Sequence, residues 1–218
     1  MKRVAILDHG PDSGDLRAVG KAMARHGVEA MVTSDFAAAL EADGLLVPGV
    51  GTYAACMDAL RAVHGERIIG RRLAGSRPVF GVCVGMQLLF ERGLDGQGTS
   101  TEGCAEWPGT VEPLEAPVLP HDGWSALDLP SGGMMFAGLP DDARFFFGNS
   151  HFGHGHAAQE WRLTDTGPLA APKVAWCRYG ERPFVAAVEN GALWAVQFHP
   201  EQSGDAGATL LANWVSVL

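Results

Sequence analysis

Two groups of residues in this chain have the types and spacing for covalent chemistry. The first is Val79-Phe80-Gly81-Val82-Cys83-Val84-Gly85-Met86-Gln87, which carries the form G-x-C-x-G. This is the thiol version of a nucleophile elbow, a sharp strand-to-helix turn that lifts a reactive side chain above a sheet edge. Gly81 and Gly85 leave room for the turn. The start of the next helix would aim N–H groups at the sulfur, an arrangement that favours a thiolate. The Val84 N–H is placed to meet an oxyanion formed during attack. A buried structural cysteine is the bland reading of Cys83.

The second group is Gln197-Phe198-His199-Pro200-Glu201, after a strand-like run. His199 would take the thiol proton and later give it to a leaving group. Glu201 would hold the imidazole in the right tautomer. A satisfied core histidine is the alternative for His199. A third segment, Pro48-Gly49-Val50-Gly51, closes another apolar run. Its glycines let the Val50 or Gly51 N–H turn toward a ligand as a second oxyanion donor. An ordinary turn is the competing reading.

For these segments to meet, the chain must build a sheet. Val4–Leu7, Glu29–Thr33, Leu45–Val47 and Pro78–Val82 read as strands. Helical spacing at Leu16, Val19 and Met23, then at Tyr53, Cys56, Met57 and Leu60, falls between them. A further helix is expected over Met86–Phe90, directly after the cysteine. This alternation predicts an α/β fold in three layers, a mostly parallel sheet flanked by helices, with ligands at the carboxyl ends of the strands. After Gly93 the pattern changes to glycine, proline and acidic residues. Strand-like runs near Phe145–Phe147, Val174–Tyr179, Phe184–Val188 and Leu193–Phe198 predict mostly antiparallel additions to the same sheet. A helix over Ala206–Leu218 turns Leu210, Leu211 and Trp214 inward. One domain over residues 1–218 is expected.

Sixteen Lys and Arg against 25 Asp and Glu give a net charge of −9. Such a chain is a poor coat for nucleic acid or an anionic membrane surface. No stretch approaches the roughly 18 apolar residues of a membrane span. Met1 to Asp8 turns acidic too soon for a signal peptide. Cys56, Cys83, Cys104 and Cys177 form no C-x-x-C pair, which points to a cytoplasmic protein with free thiols rather than a disulfide framework.

Together, PGVG, GVCVGMQ and QFHPE in this order resemble the class I (triad) glutamine amidotransferases, over almost the whole chain. The resemblance implies a glutaminase with Cys83 as nucleophile and His199 and Glu201 as its partners. It would release ammonia from L-glutamine through a glutamyl thioester, without a cofactor. Gln87, Gly51 and Asn149-Ser150-His151 would line the glutamine pocket. Within the family, four features are similar to the glutaminase subunits of imidazole glycerol phosphate synthases, of histidine biosynthesis. They are the start Leu7-Asp8-His9-Gly10 with Gly14–Val19, the helix Gly85–Phe90, Pro120-His121-Asp122-Gly123-Trp124, and the run from Gln197 through Trp214. This chain departs from the family pattern at His9 and His151, where tyrosine is common, at Asn149, where histidine is usual, and at Asp15 and Asp122.

Ammonia released into neutral water is protonated and loses its nucleophilicity, so a partner must receive it dry. The resemblance implies a cyclase subunit with a (β/α)8 barrel, bound as a heterodimer. Trp124, with His121 and Asp122, is the expected docking face and ammonia exit; a core role for Trp124 is the alternative. Another acceptor, a non-catalytic binding module of the same fold and a cysteine peptidase are the competing functions. His151, His154 and His156 invite a metal reading, but no cysteine or carboxylate lies nearby and no metal site is expected.

Overall fold

The computed structural model describes residues 1–148, 172–180 and 183–218, together with the backbone of residues 156–160. The first half alternates β1 (Arg3–Leu7), α1 (Leu16–Ala24), β2 (Glu29–Thr33), α2 (Phe36–Glu41), β3 (Gly44–Val47), α3 (Tyr53–Ala62), α4 (Gly65–Ala74), β4 (Val79–Val82) and α5 (Val84–Gln87). A 3-10 turn at Pro11–Ser13 follows β1. Local chemistry sets several helix starts. Asp15, Asp35 and Thr52 each accept the N–H three residues on, which satisfies a donor that the helix leaves open.

The main sheet has seven strands. It includes β11 (Lys173–Arg178), β12 (Pro183–Asn190) and β13 (Leu193–Val196), and its order is β11-β12-β13-β4-β3-β1-β2. From β13 to β2 every neighbouring pair is parallel, whereas β12 and β11 are antiparallel additions. Strands β3, β4 and β13 are buried at every residue. They read as unbroken apolar runs because helices cover both faces. On one face Trp214 of α6 (Gly204–Ser216) packs 5.3 Å from Phe80, and α1 lies over Ile6. Helices α2 to α4 cover the other.

The antiparallel expectation holds for β11 and β12 but not for all later runs. Phe145–Phe147 lies in β9 (Arg144–Gly148), which pairs with β8 (Asp122–Ala126) in a separate two-stranded sheet. A third sheet takes β10 (His156–Glu160), β7 (Trp107–Pro113), β5 (Phe90–Leu94) and β6 (Ser100–Glu102). The helix expected over Met86–Phe90 ends at Gln87, and Phe90 opens β5. Val84, Met86, Leu88, Leu89 and Phe90 are all buried, so this run carries no one-sided periodicity to separate helix from strand.

Helix α4 brings Arg72 wholly inside. Its guanidinium donates to the carbonyls of Ala39, Leu40, Ala42, Asp43 and Pro78, over 2.8 to 3.1 Å. It thereby satisfies the end of α2, where carbonyls have no helical partner.

Candidate active site

Four neighbouring strand ends build the site: β13, β4, β3 and β1. Cys83 follows β4 directly, at φ 57 and ψ −119. Its N–H donates to the Val196 carbonyl, 2.8 Å away, which locks the turn to the end of β13. A positive φ is unfavourable for a side-chain-bearing residue and recurs where a reactive group must be presented. The glycines permit the turn. A methyl on Gly85 would overlap the Val47 carbonyl, and one on Gly81 would lie 2.9 Å from the Gly85 carbonyl oxygen.

The parallel register of β4 and β13 pairs Val82 with Val196, so the next residues place Cys83 beside Gln197. The Gln197 amide lies 3.8 Å from the Cys83 sulfur. His199 falls two residues later, on the same side, and its side chain is in hydrogen-bond contact with Cys83. The 3-10 turn Pro200–Gln202 returns Glu201 to the imidazole, with Nδ1 2.8 Å from Oε1. Both side chains are about nine-tenths buried. The backbone is held as well. The His199 N–H donates to the Phe146 carbonyl at 2.9 Å, and the Ser203 hydroxyl donates to the His199 carbonyl at 2.7 Å.

Burial alone would push the His199 pKa down. The negative charge and hydrogen bond of Cys83, followed by those of Glu201, outweigh it and push the value up to about 11. His199 therefore holds a proton at neutral pH. Sulfur, imidazole and carboxylate in this order can attack an acyl carbon and protonate its leaving group.

The oxyanion groups are brought together, but the donors face elsewhere. The Val84 N–H donates to the Gly49 carbonyl at 3.2 Å. The Val50 N–H, on the far side of the same peptide unit, donates to the Asp12 carbonyl at 2.7 Å. Rotating that one peptide would free the Val84 N–H and aim the Val50 N–H into the site. Beside Gly51 opens a cavity of about 260 Å³, walled by Thr52, Tyr53, Gly93, Leu94 and Asp95 among others. Backbone N–H groups of Thr99 and Gln97 hold the Asp95 carboxyl below the usual range, so it is ionised.

Gln87 is buried, and its amide donates to Gln197 Oε1 at 2.9 Å. Asn149, Ser150 and His151 lie outside the described residues, as does His154. Trp124 is 50 % exposed and Asp122 is exposed, whereas His121 is not on a docking face. Its ring is stacked between Phe147 and Tyr179, at 4.5 and 3.8 Å, where the apolar packing keeps it inside. That burial lowers its pKa to about 4. Trp124 meets Phe146 across the β8–β9 ladder, with rings 5.9 Å apart, one step from the carbonyl that holds His199.

Sequence reasoning missed Gln197, Ser203 and Asp95. Gln197 stands in the same short segment as His199 and Glu201, but its contact with the sulfur comes from the pairing of β13 with β4 rather than from a local pattern. Asp95 sits in a turn and carried none.

The family description "Glutamine amidotransferase class-I" matches residues 16–217. The chain is 58% identical over 217 residues to the imidazole glycerol phosphate synthase subunit HisH of Thermobifida fusca, covering 99% of each chain. It is also 58% identical to the protein of the same name from Nocardia farcinica, covering 100% of this chain and 99% of that one. Among solved structures, PurLQS from Thermotoga maritima superposes with a TM-score of 0.66 at 15% identity, covering 99% of this chain and 98% of that one. The glutaminase domain of Trypanosoma brucei CTPS gives 0.62 at 19% identity, covering 98% and 92%.

Proposed function

This chain belongs to the class I glutamine amidotransferases, and from that premise we propose that it is the glutaminase subunit of an imidazole glycerol phosphate synthase, acting in histidine biosynthesis. The observation that carries the chemistry is the meeting of Cys83 and His199 at the ends of two adjacent parallel strands. The whole span 1–218 acts as one glutaminase domain.

Glutamine enters the cavity beside Gly51, with its α-ammonium toward Asp95. The Cys83 sulfur attacks the side-chain amide carbon. The C–N bond breaks as His199 gives its proton to the departing nitrogen, and ammonia leaves with a glutamyl thioester on the sulfur. His199 then takes a proton from water, which attacks the thioester and releases glutamate. Glu201 orients the imidazole and balances its charge. Gln87 acts through Gln197, which faces the sulfur.

The oxyanion of the tetrahedral intermediate takes the N–H groups of Val84 and Val50, with Gly51 completing the loop. Each is turned away at rest, which supports a site that is slow alone and switched on by its partner. The partner is a cyclase subunit with a (β/α)8 barrel, which receives ammonia and forms imidazole glycerol phosphate and the aminoimidazole carboxamide ribotide. Half-exposed Trp124 with Asp122 forms the docking surface and ammonia exit, and pressure there reaches His199 through Phe146. The net charge of −9 favours neither nucleic acid nor an anionic membrane as a partner, and a reducing cytoplasm suits the thiol chemistry.

Glutamate release, measured with and without the cyclase subunit, tests this reading. Turnover that rises with the cyclase and vanishes in Cys83→Ala is expected. Wild-type chain that hydrolyses no glutamine with its partner present would overturn it.

A further inference from the structure

We infer that His9 is a positioning residue that fixes the pivot of the oxyanion loop. Strands β1 and β3 are parallel neighbours, so the chain leaving β1 lies against the chain leaving β3. His9 is buried there, with Nε2 2.8 Å from the Pro48 carbonyl oxygen. A carbonyl only accepts, so Nε2 carries the hydrogen of this bond. Nδ1 is then left buried without a partner among the described residues, a cost that packing does not reward. The His9 N–H donates to the buried Ser13 hydroxyl at 2.8 Å, which pins the imidazole's own backbone.

The same β1–α1 connection therefore grips the loop twice. His9 holds the carbonyl of the peptide before Gly49, and Asp12 holds the N–H of the peptide after it. The unit between these grips, Gly49–Val50, is the one that must rotate. Rotation about ψ of Gly49 and φ of Val50 breaks the Asp12 bond but leaves the Pro48–Gly49 peptide where it is. With that peptide anchored by His9, the Val50 N–H swings toward Cys83 at the right radius. Without the anchor it drifts, and small errors in donor placement cost large factors in rate.

This inference rests on the glutaminase reading above. The test is steady-state glutamine hydrolysis by the full chain bound to the cyclase subunit. It compares wild type with His9→Phe, which keeps the ring but loses the donor, and His9→Gln, whose amide nitrogen can donate in its place. Rates are expressed per Cys83 that alkylates with iodoacetamide, so a partly unfolded variant is not counted as a slow one. For His9→Phe a loss of about tenfold or more in kcat is expected, with KM for glutamine within about twofold. An oxyanion donor acts on the transition state rather than on bound substrate. His9→Gln is expected to recover kcat to within about threefold of wild type. Unchanged kcat in His9→Phe, a rise in KM that accounts for the loss, or a His9→Gln no better than His9→Phe would each overturn the proposal while wild type remains active. An inactive wild-type complex would remove the glutaminase reading, and this one with it.

Discussion

The Val84 N–H and the Gly49 carbonyl are joined by a 3.2 Å hydrogen bond across the mouth of the site. The bond occupies the N–H that we propose as an oxyanion donor. It also turns the Val50 N–H, on the opposite edge of the same peptide, toward Asp12. One peptide orientation thus withholds two donors.

Val50→Pro deletes the N–H assigned to the oxyanion. Activity of the complex should fall by about 10²- to 10³-fold, mainly in kcat. Glutamine saturation curves at a fixed, saturating cyclase concentration check this. A main effect on KM would mean that Val50 contacts ground-state substrate instead.

His199 has its pKa raised in the folded chain to about 11, against about 6.5 when unfolded. The folded state therefore favours the protonated ring. That contribution to stability is complete below about pH 6.5 and is lost as pH rises toward about 11. The stability difference between wild type and His199→Gln should accordingly shrink from about pH 7 to about pH 10. Urea midpoints at several pH values measure it, and a difference that grows with pH would contradict the assignment.

Arg72→Met strips five carbonyls of their shared donor in a buried place. A loss of about 3–5 kcal/mol in unfolding free energy is expected, since removing this buried donor takes a hydrogen bond from each carbonyl and, among the described residues, leaves only Ala42 and Pro78 with another, from Arg77 and the Leu45 N–H. Chemical denaturation reads this directly.

Two glycine replacements should move stability in opposite directions. Gly85→Ala drives a methyl into the Val47 carbonyl and should cost about 3 kcal/mol or more. Gly70→Ala, inside α4 with nothing near the new methyl, should gain about 0.5–1 kcal/mol. Thermal melts of the two variants beside wild type suffice.

Trp124→Ala should leave the isolated chain within about 0.5 kcal/mol of wild type, because half the ring is already in solvent. Association with the cyclase should weaken by about 2 kcal/mol or more, the scale of an aromatic anchor. Calorimetric titration separates the two effects.

The parallel core and the residues Cys83, His199 and Glu201 that meet at its edge were legible in the sequence because both rest on local patterns. Apolar runs at β1, β3 and β4, glycines around Cys83, and a histidine two residues before a glutamate are short-range signals. Physical chemistry reads them without knowing where the chain goes next. Phe145–Phe147 were equally legible as a strand, but nothing local to them says that β9 pairs with β8 rather than joining the main sheet. The burial of His121 was likewise invisible, since its environment comes from Phe147 and Tyr179, distant in sequence. The direction of the Gly49–Val50 peptide depends on Asp12 and Val84, and the pKa of His199 on Cys83. Residue types and spacing determined which groups could react. Only the packing of strand ends against one another decided which groups touch, because hydrogen-bond partners and electric fields are set by distance in space.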